Sequence, residues 1–146
     1  MLLIDIDPQG NATSGVGINK GDLDESIYDV LVNDVPVETV IQETKVDNLY
    51  ILPSTISLAG AEIELVSTIS REIRLQRALT KINNEYDYMI IDCPPSLGLL
   101  TLNALTAANS VLIPVQCEYY ALEGLSQLLN TVRLVQKHLN KNLMIH

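Results

Sequence analysis

Three aspartates stand where apolar runs stop, and acids at such points are positioned to do chemistry. In Tyr86-Asp87-Tyr88-Met89-Ile90-Ile91-Asp92-Cys93-Pro94-Pro95-Ser96 the apolar run is unbroken from Met89 to Ile91. Such a run suits a strand covered on both faces, as in a parallel sheet. Asp92 falls at its carboxyl end, and two prolines then turn the chain out of the sheet. Leu2-Leu3-Ile4-Asp5-Ile6-Asp7-Pro8-Gln9-Gly10-Asn11 has the same design: an apolar strand, acids, a proline and a polar turn. Ligands of open α/β sheets bind beyond the carboxyl ends of strands, so these carboxylates are candidate ligands for a metal or a phosphate-bearing group. Asp5 and Asp7 are two residues apart and would share one face of a strand. One would touch a metal or water while the other orients it. If Asp92 lies nearby, three carboxylates repel one another unless a cation offsets them, and Mg2+ is the natural candidate. The plainer account is that single acids only cap loops or helix starts; two like units in one chain favour a site.

The elements that would position these acids alternate between strand and helix. Gln9 to Asp24 has a loop composition rich in Gly, Asn, Ser, Thr and Asp. Ser26 to Asn33 and Pro36 to Glu43 read as two short helices, and Asn48 to Pro53 as a strand stopped by its proline. Leu58, Ala61, Leu65 and Val66 form the apolar stripe of a helix begun by Ser57. Leu75, Leu79 and Ile82 do the same from about Ser70 to Asn84, with Arg71, Arg74, Arg77 and Lys81 among the polar positions. After the Pro-Pro turn come a helix over Leu99 to Ala108 and a strand over Ser110 to Gln116. A long helix then runs from Glu118 to Leu139, and Leu143-Met144-Ile145 forms a further strand. This alternation predicts an α/β fold with a mostly parallel sheet flanked by helices. No internal repeat, low-complexity tract or second domain boundary interrupts residues 1–146, which are expected to form one domain.

Composition narrows the function classes. The chain has 146 residues and is 47% hydrophobic, enough for a real core. It has no Phe or Trp, so that core is aliphatic. A formal net charge of −9 argues against a nucleic-acid surface within these residues, since phosphate binding needs clustered Lys and Arg. Cys93 and Cys117 have no metal-ligand or CxxC spacing and read as small buried thiols of a reduced, cytoplasmic protein. No apolar run approaches a membrane span. Met1 leads straight into a core strand with no charged leader, so no signal peptide is expected. A buried parallel strand is normally central, and a domain that opens inside one is unusual. His138 and His146 read as surface residues.

The strand-acid blocks also carry a resemblance. Leu2-Leu3-Ile4-Asp5-Ile6-Asp7-Pro8-Gln9-Gly10-Asn11-Ala12-Thr13 resembles the second signature of the ParA/Soj chromosome- and plasmid-partitioning ATPases. Tyr86 to Gly98 resembles their Walker B segment, and Val111 to Leu125 the strand and helix that follow it. The resemblance implies a P-loop NTPase-like sandwich dimer that binds Mg-ATP, hydrolyses it slowly and switches between states. Carried over by position, it implies that Asp92 holds Mg2+ through its water shell and that Asp7 orients the attacking water. Asp5 would support the metal region, while Pro94, Pro95 and Ser96 would begin the second switch. Pro114 and Gln116 would lie near the adenine. The family's Gly-rich phosphate loop with its two lysines has no counterpart here; Asn19-Lys20-Gly21-Asp22 is a lysine in a plain turn. The family's first strand, by analogy between those ending at Asp92 and Gln116, is missing too. An internal fragment of a ParA-type ATPase is therefore expected, with ATP and Mg2+ as cofactors of the parent. The parent would be a cytoplasmic, nucleoid-associated homodimer meeting a ParB-like adaptor, and would hold non-specific DNA through regions mostly outside this chain. The fragment's sheet is expected to be incomplete or re-paired, with apolar surface exposed.

Two other readings compete. A haloacid-dehalogenase-type phosphatase would use Asp5 as nucleophile and Asp7 as general acid, but Pro8-Gln9-Gly10 and Asp92-Cys93-Pro94-Pro95 fit its pattern poorly. A non-catalytic interaction module keeping the family fold is the other.

Overall fold

A computed structural model describes residues 1–114 and 121–146. Strand β1 (Leu2–Asp5) lies inside a four-stranded sheet ordered β2-β3-β1-β4, where β2 is Gln42–Glu43, β3 is Tyr50–Leu52 and β4 is Met89–Asp92. β1 pairs in parallel with β3 on one side and β4 on the other, with Leu3 opposite Ile51 and Ile90. β2 runs antiparallel to β3 at the far edge. A second, separate pair joins β5 (Ser110–Val111) and β6 (Met144–Ile145) in parallel. The expectation of a mostly parallel sheet is met; the strands fall into two separate sheets.

The aliphatic core sits against β1. Leu2, Ile4, Ile6, Leu52, Leu58, Leu65, Leu75 and Ile82 are all fully buried in one cluster. Helix α2 (Ile27–Val32) begins where expected, because Ser26 Oγ accepts from Tyr28 N and Asp29 Oδ2 accepts from Ser26 N. The helix expected from Pro36 to Glu43 is shorter: α3 covers Val37–Val40, and Gln42–Glu43 then pairs with β3 as β2. Helix α4 (Leu58–Glu64) starts after Ser57, but that serine is helical and its side chain makes no capping bond. The helix expected over Ser70 to Asn84 is also broken. Ser70 takes a left-handed φ of 58°, a 3-10 turn follows at Arg71–Ile73, and α5 proper is Arg74–Thr80.

β4 departs from expectation most. It is the edge of its sheet, and its exposure alternates, leaving Ile90 51% and neighbouring Tyr88 73% exposed. An uninterrupted apolar run was expected to be covered on both faces; here every second side chain lies open, because only one face of the strand is packed against the core. The expected exposed apolar surface is seen there and at Leu112 and Met144.

Helix α6 (Leu99–Ala107) is wedged between two cores. Leu100 and Ala104 belong to the sheet cluster, whereas Leu105 packs with Val132 and Val135 of α7 (Ala121–His138) and with Leu143. Buried Asn103 fastens α6 to the start of α5: its Oδ1 accepts from Leu75 N at 3.1 Å, and its Nδ2 donates to Arg71 O at 2.8 Å and Leu99 O at 2.9 Å. Asn140 Nδ2 closes the other end on the carbonyls of Leu105, Thr106 and Ala108. The strand expected to Gln116 is seen only as Ser110–Val111. Its remainder, the Glu118 helix start, Cys117, Tyr119 and Tyr120 fall partly or wholly outside the described residues. His138 and His146 are exposed, as expected.

Asn103→Ala would leave the buried Leu75 N–H and the Arg71 carbonyl without their side-chain partner, at a cost of about 2 kcal/mol. Urea unfolding monitored by circular dichroism measures this, and a loss below about 1 kcal/mol would show that the α5–α6 junction does not depend on the amide.

Candidate functional site at the carboxyl rim of the sheet

The parallel register sets Asp5 opposite Asp92, and Ile6 N donates to Asp92 O at 3.0 Å. The two strand ends therefore lie side by side at one rim. Asp7 follows on the turn leaving β1. It was expected on the same face as Asp5, but β1 ends at Asp5 and Ile4, Asp5 and Ile6 are all buried, so strand alternation does not reach Asp7.

Asp5 is fully buried, and its carboxylate is spent inside the protein. Oδ2 accepts from Thr13 N and Thr13 Oγ1, each at 2.7 Å, and Oδ1 accepts from Asp7 N at 3.1 Å. Thr13 lies on α1 (Asn11–Gly15), a helix inside the stretch expected to be loop. Its Oγ1 in turn accepts from Ser54 N at 2.9 Å, while Ser54 Oγ donates to Asp7 O at 2.7 Å. Thr13 and Ser54, both fully buried, are the site residues that sequence reasoning missed. The turn is closed by Gly10 N donating to Asp7 O and by Lys20 Nζ donating to Gln9 O at 2.7 Å. Gly10 has φ +60°, and a Cβ there would stand 2.9 Å from Ser54 O, so glycine is required twice over.

This geometry divides the three acids. Asp5 is a structural anchor with no face toward solvent, which removes it as a nucleophile and with it the phosphatase reading. Asp7 is half-buried with its Oδ1 accepting from Gln9 N, and Asp92 is exposed. Burial, then Asp5, then Asp7 push the Asp92 carboxyl above its ordinary 3.8, so the acids share one electrostatic neighbourhood. Among the described residues no Lys or Arg forms an ion pair with any of them. Nor do three His, Cys, Asp or Glu side chains there gather into a metal cage. Such a rim fits a cation that keeps most of its shell as water, which is how Mg2+ usually binds, through one or two carboxylates and substrate phosphates.

The loop after β4 rests on α6. Pro94 is buried, Pro95 and Ser96 are exposed, and Thr101 Oγ1 donates to Ser96 O. Glu62 of α4 lies over Gly98, where a Cβ would meet Glu62 Oε1 at 1.9 Å. Pro114 is exposed and Gln116 lies outside the described residues. Cys93 is exposed rather than buried; desolvation of its sulfur and then Asp92 push the thiol up to about 11, so it is no thiolate at neutral pH.

An open, mostly parallel sheet with acids at the carboxyl rim defines an α/β domain of the open-sheet class that binds ligands beyond its strand ends. Known proteins agree. The chain is 71% identical over 145 residues to the sporulation initiation inhibitor protein Soj of Bacillus subtilis, covering 99% of this chain and 57% of that protein. It is 58% identical to the chromosome partitioning protein ParA of Myxococcus xanthus, covering 97% of this chain and 50% of that protein. A crystal structure of cobyrinic acid a,c-diamide synthase from Mycobacterium smegmatis with bound ATP analog and magnesium superposes with a TM-score of 0.94 at 44% identity, covering 99% of this chain and 59% of that one. The chain belongs to the AAA domain family, whose model matches residues 1–145. It spans about half the length of the curated relatives it matches.

Two outcomes test the rim. Thr13→Val strips Asp5 of a donor and Ser54 N of its acceptor, at about 2 kcal/mol by chemical denaturation, while Thr13→Ser retains most of that stability. Because the folded-state pKa of Asp92 is raised, its ionisation opposes folding: stability falls as pH climbs upward from 3.8. Asp92→Asn should therefore raise the melting temperature at neutral pH and lose that advantage below pH 3.8. An advantage independent of pH would show that the charge is not its cause.

Proposed function

We propose that this chain is part of the nucleotide-binding domain of a partitioning ATPase, a Mg-ATP-dependent switch of the ParA/Soj kind. The observation that carries it is the pair of accessible carboxylates, Asp7 and Asp92, on one rim, neither of them in an ion pair with a Lys or Arg among the described residues. The 71% identity to Soj supports the same reading. In it, Asp92 would hold Mg2+, and Asp7, fixed by the Asp5–Thr13–Ser54 bonds, would orient a water toward the terminal phosphate. When bound, Mg2+ neutralises phosphate charge, the main requirement of phosphoryl transfer. Asp5 acts through Asp7 as a positioning residue. Pro94, Pro95 and Ser96 begin the segment that responds to the nucleotide, and Pro114 and Gln116 lie toward the base.

The same reading makes the working form a homodimer that meets a ParB-like adaptor and spreads on DNA, cytoplasmic and nucleoid-associated. Among the described residues no helix is long and apolar enough to cross a membrane. The sequence carries no Gly-rich loop with a GK[ST] to cradle phosphates, so these 146 residues on their own should bind ATP weakly.

Titration with a fluorescent ATP analogue and Mg2+ is expected to give no saturation in the micromolar range, and micromolar affinity would refute that expectation. In a longer form carrying the phosphate loop, Asp7→Ala should lower hydrolysis by about 100-fold or more while nucleotide still binds. Unchanged turnover in that variant would remove Asp7 from the mechanism.

A further inference from the structure

The loop that leaves Asp92 is met from outside by a side chain that the candidate site does not use. Glu62 lies on α4, where Leu58 and Ala61 are fully buried and, with Leu65 just beyond, fix the helix in the core. The residue as a whole is partly exposed, yet its Oε1 is buried and has no hydrogen-bond partner among the described residues. A carboxylate oxygen out of water without a donor is costly unless something else stabilises its charge.

The place of that oxygen supplies the reason. It lies over Gly98, the residue before α6 begins, and no side chain caps that helix from its own sequence. The first N–H groups of an α-helix have no partner within it, and the helix dipole adds positive potential there. The first turn of α6 holds no acid, so the charge that suits this end comes from another helix. Gly98 points the same way. Its φ of −90° and ψ of −166° are extended backbone that any residue adopts. A Cβ placed there would have three Glu62 atoms as its nearest neighbours, with Cδ at 2.8 Å and Oε1 closer still. Glycine is demanded at this position by the side chain of Glu62, not by the backbone.

We infer that Glu62 is a positioning residue of the acidic rim. Its carboxylate caps α6 from α4 and, by filling the space over Gly98, sets where the loop from Asp92 enters that helix. α4 then holds both acid-bearing turns. Just before α4 starts, Ser54 Oγ donates to Asp7 O; further along it, Glu62 holds the turn that follows Asp92. The spacing of the two accessible carboxylates is thus kept by a helix that carries neither. The inference uses the geometry of the rim and not the identity of what binds there.

The test compares Glu62→Ala, Glu62→Gln, Gly98→Ala and the Glu62→Ala/Gly98→Ala pair in the whole chain, by urea unfolding and amide hydrogen exchange. Gly98→Ala alone is expected to lower the urea midpoint, because the new methyl must expel Glu62. In the Glu62→Ala background the same change should leave the midpoint equal or higher, since alanine suits this backbone and restricts the unfolded chain. Glu62→Ala should speed exchange from Ser96 to Leu100 by about tenfold or more while Leu2 to Asp5 stay protected. Glu62→Gln, which keeps the shape without the charge, should fall between. Equal losses from Gly98→Ala with and without Glu62 would overturn the contact. Unchanged exchange in Glu62→Ala would overturn the cap, and exchange in Glu62→Gln as slow as in the unaltered chain would overturn the part given to the charge.

Discussion

The constraint on which the site depends is the burial of the Asp5 carboxylate. A charged group out of water is tolerated only when its oxygens are satisfied, and here three donors converge on it. Two of them come from Thr13, which obliges α1 to pack against the end of β1. Thr13 in turn holds the end of β3 through Ser54, and Ser54 returns to the Asp7 carbonyl. One buried charge therefore ties two strand ends, a helix and a turn into one hydrogen-bonded unit. Asp7 stands at a fixed place because its own N–H and C=O are both part of that unit.

Charge is distributed to match. At the rim, two accessible acids lie beside a buried one with no protein cation among the described residues, which leaves the position favourable to a cation brought from outside. On α5 and its final turn the excess is positive, with Arg74, Arg77 and Lys81 and no acid between them, and Asp34 engages the first arginine. The net charge of −9 conceals both features, because an average over the chain says nothing of where opposite signs are kept apart.

The strands and their terminal acids were legible in the sequence because each is a local signal: an apolar run, an acid, a proline. The start of α2 at Ser26 was legible for the same reason. What was not legible depends on distance in the chain. Thr13 binds a carboxylate eight residues away and a backbone amide of residue 54, so nothing near it reveals a buried role. Its helix is short and polar and begins at a left-handed glycine, features that read as loop. β2 pairs only through its exposed backbone, so Gln42 and Glu43 carry no apolar signal. The openness of β4 was invisible because a continuous apolar run implies cover on both faces, and here only one face is packed. Ser70 interrupted a helix whose apolar spacing continued through it, since backbone handedness leaves no trace in hydrophobic periodicity.

The position of α6 has a mechanical consequence. Its first residues receive the loop that leaves Asp92, its two sides belong to different cores, and Asn103 and Asn140 fasten it near both ends. A close-packed helix held in this way cannot bend to absorb a local displacement. Movement at the Pro94-Pro95 turn would therefore be felt in both cores at once, because one short helix belongs to each.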